Sequence, residues 1–193
     1  MYQKRNNNEL KIISLFSDKY DKSLYLRQIS KLSKIPLKTT QNILALLEGE
    51  KILRSSIQGK NKYFTLNLEN IKTKIYLLFA EMNKTLLFLE NYPQFKIFLK
   101  DLKTNIPIII FGSFAQLKAK RDSDVDILVI SKQKLNFPSH LLPHKIHQVN
   151  LSEKDFIKSL ESRETLIEEI KEKHVVLNDY SFYVNLMWNY YGR

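Results

Sequence analysis

Along the first half of the chain, apolar residues recur mostly three or four positions apart. Later they gather into short dense runs. In 8–17, "NELKIISLFS", Leu10, Ile13 and Phe16 keep helical spacing. Leu24 and Leu26 alternate, then Ile29 and Leu32 lie three apart, so a short strand or turn enters a second helix. "IPLKTTQNILALLEGE" opens at a proline and predicts a third helix, with Leu37, Ile43, Leu46 and Leu47 inward and Gly49 near its end. Ile52, Arg54, Ser56 and Gln58 then alternate against Leu53, Ser55 and Ile57. "GKN" predicts a tight turn, and "KYFTLN" the returning strand.

Residues 69–91 form a long helical pattern in which Ile71, Ile75, Leu78, Met82 and Leu86 share a face. Tyr76, Leu77, Phe79, Leu87 and Leu89 widen its apolar surface, which predicts packing on both sides. Such a helix is either a spacer within one protomer or a homodimerisation helix. "YP" at 92–93 ends it, and "QFKIFLKDLK" predicts another helix. From 106 the pattern turns to strand ("IPIIIF"), short helix ("SFAQLKA"), strand ("SDVDILVIS"), loop, and a third strand, "HKIHQVNLS". In that third strand Ile146, Gln148 and Asn150 alternate with His147, Val149 and Leu151. Ser152 with Asp155 three residues on predicts a helix cap. A further helix, a strand or extended segment at "HVVLND", and an aromatic terminal helix follow. The expected fold class is α/β (α+β).

The composition narrows the chemistry. The 193 residues are 44% hydrophobic, enough for a packed core. With no cysteine, disulfides, thiolate metal sites and a cysteine nucleophile are excluded. The longest nearly apolar run, "IPIIIFGSFA", is too short to span a membrane, and "MYQKRNNNEL" lacks the apolar core of a signal peptide. The expectation is a soluble cytoplasmic protein with no membrane partner.

The formal charge is +11, which favours anionic partners. A Lys-, Asn- and Ile-rich composition accounts for part of it. The distribution says more, because residues 1–65 hold thirteen basic side chains against five acidic ones. Lys38, Thr39, Thr40, Gln41 and Asn42 cluster at the start of the third helix, and Lys60, Asn61 and Lys62 at the hairpin tip. Gln and Asn can read adenine, while Lys and Thr can hold phosphate. "LRQISKLSKIPLKTTQNILALLEGEKILRS" followed by "GKNKYFTLN" resembles the winged helix-turn-helix domains of transcription regulators. That resemblance implies DNA as partner, with Lys38, Thr39, Thr40, Gln41, Asn42, Lys60 and Lys62 as its contacts.

The densest chemistry lies in "GSFAQLKAKRDSDVD", 112–126. In a strand, residues two apart share a face, so Asp124 and Asp126 stand side by side. Two like charges that close call for a cation between them, and hard divalent ions take such oxygen ligands. Gly112 allows close backbone approach, and the following amides with Ser113 can cradle phosphate. "IIIFGSFAQLKAKRDSDVDILVI" resembles the nucleotidyltransferase superfamily, which includes polymerase β and the minimal nucleotidyltransferases. The resemblance implies nucleotide binding by Gly112 and Ser113. It also implies catalytic metal binding by Asp124 and Asp126, with Mg²⁺ or Mn²⁺ and an NTP, ATP foremost. The third carboxylate of active members has no counterpart, because no acid occurs between Asp126 and Glu153. His147, Gln148 and Asn150 are the nearest substitutes, so one metal and weak or absent transfer are expected. His140, His144 and His147 as a zinc set are the weaker expectation against ordinary loop histidines.

The expected organisation is a winged helix-turn-helix at 1–68, a helical connector at 69–103 and, at 104–193, a nucleotidyltransferase-like mixed sheet with flanking helices. The functions implied are a DNA-binding regulator that binds Mg-NTP, an enzyme moving NMP onto a protein or RNA hydroxyl, or a degenerate scaffold. Minimal nucleotidyltransferases that act as antitoxins modify a partner toxin, so resemblance also implies a toxin as protein partner.

Overall fold

The computed structural model describes residues 7–192. Lys4 and Arg5 of the basic count, and most of the segment tested for a leader, lie outside them. The chain forms two compact units, one of residues up to Glu81 together with those from Val184, the other Met82–Tyr183.

The first unit runs α1 (Asn7–Ser14), β1 (Leu24–Tyr25), α2 (Leu26–Ser33), α3 (Leu37–Gly49), β2 (Leu53–Gln58) and β3 (Asn61–Leu66). Its antiparallel sheet has the order β1-β3-β2. The Gln28 side chain accepts from the Tyr25 amide at 3.1 Å and so holds the start of α2. α2 ends at Lys34 in the left-handed region, and Pro36 sets up the start of α3. Gly59, at φ +61°, is the first residue of the two-residue hairpin turn and Lys60 the second, the pattern of a type II′ turn.

α3 differs from expectation in the face it buries. Thr40, Ile43, Leu44 and Leu47 are buried, whereas Leu37 and Leu46 are 46% and 47% exposed. The cause is the turn before the helix. The Thr40 hydroxyl is drawn inward to donate to the carbonyls of Ile35 and Pro36, at 3.2 and 3.1 Å, which rotates the buried stripe by about one residue.

The long helix α4 (Ile71–Asn91) buries Thr73, Tyr76, Leu77, Ala80, Glu81, Thr85 and Phe88. The apolar stripe Ile71, Ile75, Met82 and Leu86 is exposed among the described residues.

The second unit continues with α5 (Gln94–Asp101), β4 (Ile108–Phe111), α6 (Gly112–Ala115), β5 (Val125–Ile130), a 3-10 turn (Ser139–Leu141) and β6 (Ile146–Leu151). α7 (Glu153–Glu161), α8 (Thr165–Glu172), β7 (Val175–Asn178) and α9 (Tyr180–Tyr191) follow, the last of them passing out of this unit. The sheet order is β6-β5-β4-β7. β5 and β6 are parallel, and β4 is antiparallel to both β5 and β7. Every residue of β4 is buried, as a continuous apolar run predicts for a central strand. Phe88, Phe95, Phe98, Phe114, Ile127 and Val175 belong to one core cluster. Ser152 caps α7 by accepting from the Asp155 amide at 3.2 Å. With its helices, this mixed sheet fits the expected α+β class.

Candidate active site

Strand pairing assembles the site. β4 runs into α6 at Gly112, and Phe111 pairs with Asp126 on β5. Gly112 has φ +66°, a conformation that costs an L-residue energy. A Cβ placed there would collide with Asp126 Oδ2. Glycine is therefore favoured twice, by the left-handed turn and by the Asp126 carboxylate, which would have to move to admit a Cβ. Ser113 follows at the start of α6, half-buried.

Asp124 is exposed immediately before β5, and Asp126 is half-buried within it. The segment before them is held from three directions. Ser123 Oγ accepts from the Lys120 amide at 2.8 Å, His144 Nδ1 lies 3.0 Å from the Ser123 carbonyl, and the Val125 amide donates to Lys145 O at 2.8 Å. These bonds fix the backbone on both sides of Asp124. Sequence reading assigned His144 no such role. The signal lies in its distance from Ser123 along the chain, bridged only by the parallel β5–β6 pairing.

The register also decides among the substitutes for the missing acid. His147 is the β6 partner of Asp126, and its Nδ1 lies 3.1 Å from Asp126 Oδ1. Gln148 and Asn150 belong to the opposite face of β6. Asn150 donates to the carbonyls of Ser131 and Gln133, at 3.3 and 2.9 Å, and Gln148 is hydrogen-bonded to Asn150. Both serve the loop after β5, so His147 alone reaches the carboxylate. His140 is in the 3-10 turn, and no group of three or more histidine or acidic side chains among the described residues could hold a metal alone. His140, His144 and His147 thus do not come together as one group among the described residues. Two carboxylates suit a hard divalent ion that draws its other ligands from phosphate and water.

In the first unit, Lys38, Gln41 and Asn42 are exposed at the start of α3, Thr39 is half-buried, and Lys60 is exposed on the hairpin turn. Thr40 is fully buried and turned to backbone carbonyls, so it has no surface to offer a ligand. Lys62 is paired with Glu48 at 2.7 Å. The Lys62 ammonium, then the Ser55 hydroxyl, hold the Glu48 carboxyl below the ordinary glutamate range. Beside this pair is a cavity of about 300 Å³ lined by Leu26, Gln41, Leu44, Ala45, Glu48, Lys62 and Phe64. The seven residues named by sequence thus divide into four with exposed side chains, the half-buried Thr39, Lys62 committed to an ion pair, and Thr40 in the core. No helix among the described residues is long and apolar enough to cross a membrane.

No curated protein and no solved structure matches the chain. Residues 94–182 match the family described as "Polymerase beta, Nucleotidyltransferase", which covers β4, the Gly112–Ser113 turn, both aspartates, β6 and β7, and supports the nucleotidyltransferase superfamily for this part of the chain.

Proposed function

We propose that the second unit binds an NTP, foremost ATP, with Mg²⁺ or Mn²⁺, and transfers its NMP slowly to an acceptor hydroxyl. The observation that carries this is the Asp126 carboxylate seated against the left-handed turn at Gly112, with Asp124 two residues before it. The Ser113 hydroxyl and the amides at the start of α6 would hold phosphate oxygens. Asp124 and Asp126 would hold the metal, which when bound neutralises phosphate charge and favours departure of pyrophosphate. The acceptor oxygen attacks the α-phosphorus, the bond from that phosphorus to the bridging oxygen breaks, pyrophosphate leaves, and the hydroxyl proton passes to solvent. His147, beside Asp126, replaces the third carboxylate of active relatives, and the absence of a third acid is the reason for expecting a slow rate. α-Labelled ATP, incubated with the protein, Mg²⁺ and cell lysate, tests this. Label should enter an acceptor slowly and not at all with Asp126→Ala. Fast incorporation lost in that variant would overturn the expected slowness, and incorporation that survives Asp126→Ala would overturn the site.

A second reading concerns the first unit. Exposed Lys38, Gln41 and Asn42 at the start of α3 and Lys60 at the hairpin tip favour a winged helix-turn-helix that meets DNA. The whole chain would then be a DNA-binding regulator or an antitoxin-like protein with a toxin as partner. A retardation assay on the region upstream of its own gene tests it. Binding that ignores salt would count against phosphate contacts.

A further inference from the structure

A cavity of about 480 Å³ in the second unit is lined by Tyr92, Phe114, Lys120, Arg121, Pro143 and His144, with Gln94 and Ala119 completing it. No carboxylate lines it. Its walls share backbone with both halves of the motif, since Phe114 follows Ser113 and Arg121 comes three residues before Asp124.

One side is aromatic. The Tyr92 and Phe114 rings have centroids 4.9 Å apart, and Phe114 meets His144 edge-on, also at 4.9 Å. This wall is fixed in place. Tyr92 Oη accepts from the Ala119 amide at 3.2 Å, and His144 is tied to the Ser123 carbonyl. Lys120 and Arg121 form a cationic, exposed rim, and neither takes part in an ion pair among the described residues. The volume lies within the ~300–1,000 Å³ usual for small-ligand sites, enough for about one nucleotide. A fixed aromatic wall beside unpaired cations suits a flat base attached to phosphate. An acidic peptide would use the cations and leave the rings unused, whereas stacking plus phosphate contact uses both.

We propose that this cavity takes the end of a single-stranded nucleic acid, its last base against Tyr92 and His144 and its phosphates at Lys120 and Arg121. Its role as acceptor rests on the transferase reading above. There the terminal hydroxyl oxygen bonds to the α-phosphorus of the NTP, pyrophosphate leaves, and the proton goes to solvent.

The test uses the full chain carrying Lys38→Ala and Lys60→Ala, so that the first unit contributes little. Binding of fluorescein-labelled RNA and DNA hexanucleotides is measured by anisotropy over a salt series, and Mg-ATP binding by calorimetry. Adding Lys120→Ala with Arg121→Ala should weaken hexamer binding about tenfold and lower the salt slope by about 1.4, as loss of two single-strand phosphate contacts predicts. Mg-ATP binding should be unchanged. Hexamer binding indifferent to the pair overturns the proposal. So does weakened Mg-ATP binding with unchanged hexamer binding, which would make the cavity the seat of the incoming base. Preference for an acidic hexapeptide over the oligonucleotides overturns it too. If the parent chain binds hexamer through this pair but binds no Mg-ATP, the transferase reading fails while the cavity assignment stands.

Discussion

Of the residues expected to meet a ligand in the first unit, Lys38, Gln41 and Asn42 on α3 and Lys60 on the hairpin turn are exposed, while Thr40 is buried and Lys62 is paired with Glu48. In the second unit the corresponding residues are locked to one another. Asp126 lies against Gly112, pairs across β4 and β5, and is touched by His147 from β6. If it meets DNA as proposed, the first arrangement would lose one member and keep most of its affinity, because each phosphate contact adds separately. The second has no such slack, since a shift of any strand displaces several groups at once. On the proposed readings, the difference would be the one between meeting a long charged polymer and orienting a single phosphate chain.

The largest effect that would sharpen this comparison is Asp126→Ala. Mg-ATP affinity measured by calorimetry should fall by at least about 100-fold, the upper end of what lost metal-site support costs, while DNA retardation stays unchanged. Equal loss in both assays would break the comparison. Next is Gly112→Ala, which should destabilise the second unit by about 2 kcal/mol, the cost of a left-handed residue, before its collision with Asp126 is counted. Thermal unfolding followed by circular dichroism would show it. Smaller is the paired change Lys38→Ala with Lys60→Ala. It should weaken duplex DNA about tenfold at low salt and lower the salt slope by about 1.8, two contacts' worth, with nucleotide binding untouched. Smallest is Leu117→Gly. Leu117 is exposed and left-handed at φ 56° just after α6, so the change should stabilise by roughly 0.5–1 kcal/mol. A fall in melting temperature would show that the leucine side chain does more than bear strain.

Much of this arrangement is legible in the sequence. The run from "IIIF" through Gly-Ser to "SDVDILVI" predicts two strands and the turn between them, although β5 begins at Val125 and so takes in Asp126 but not Asp124. The hairpin and the Ser152 cap are equally local. What escapes is whatever depends on which way an element is rotated. α3 has apolar residues on more than one side, so its pattern does not reveal that Thr40, rather than Leu37 or Leu46, turns inward. Likewise, β6 offers His147 on one face and Gln148 and Asn150 on the other. A one-residue slip in register would exchange them, and register is a property of two strands. The cavity at Tyr92 and His144 is the extreme case, drawn from four separate segments whose meeting no local pattern records.

The glycine at 112 has a consequence for heredity. Because any side chain there would strike the Asp126 carboxylate, the two positions are epistatic, and their substitutions should not combine additively. A lineage that abandons the aspartate frees much of the space the glycine protects, leaving only backbone strain to oppose a larger residue.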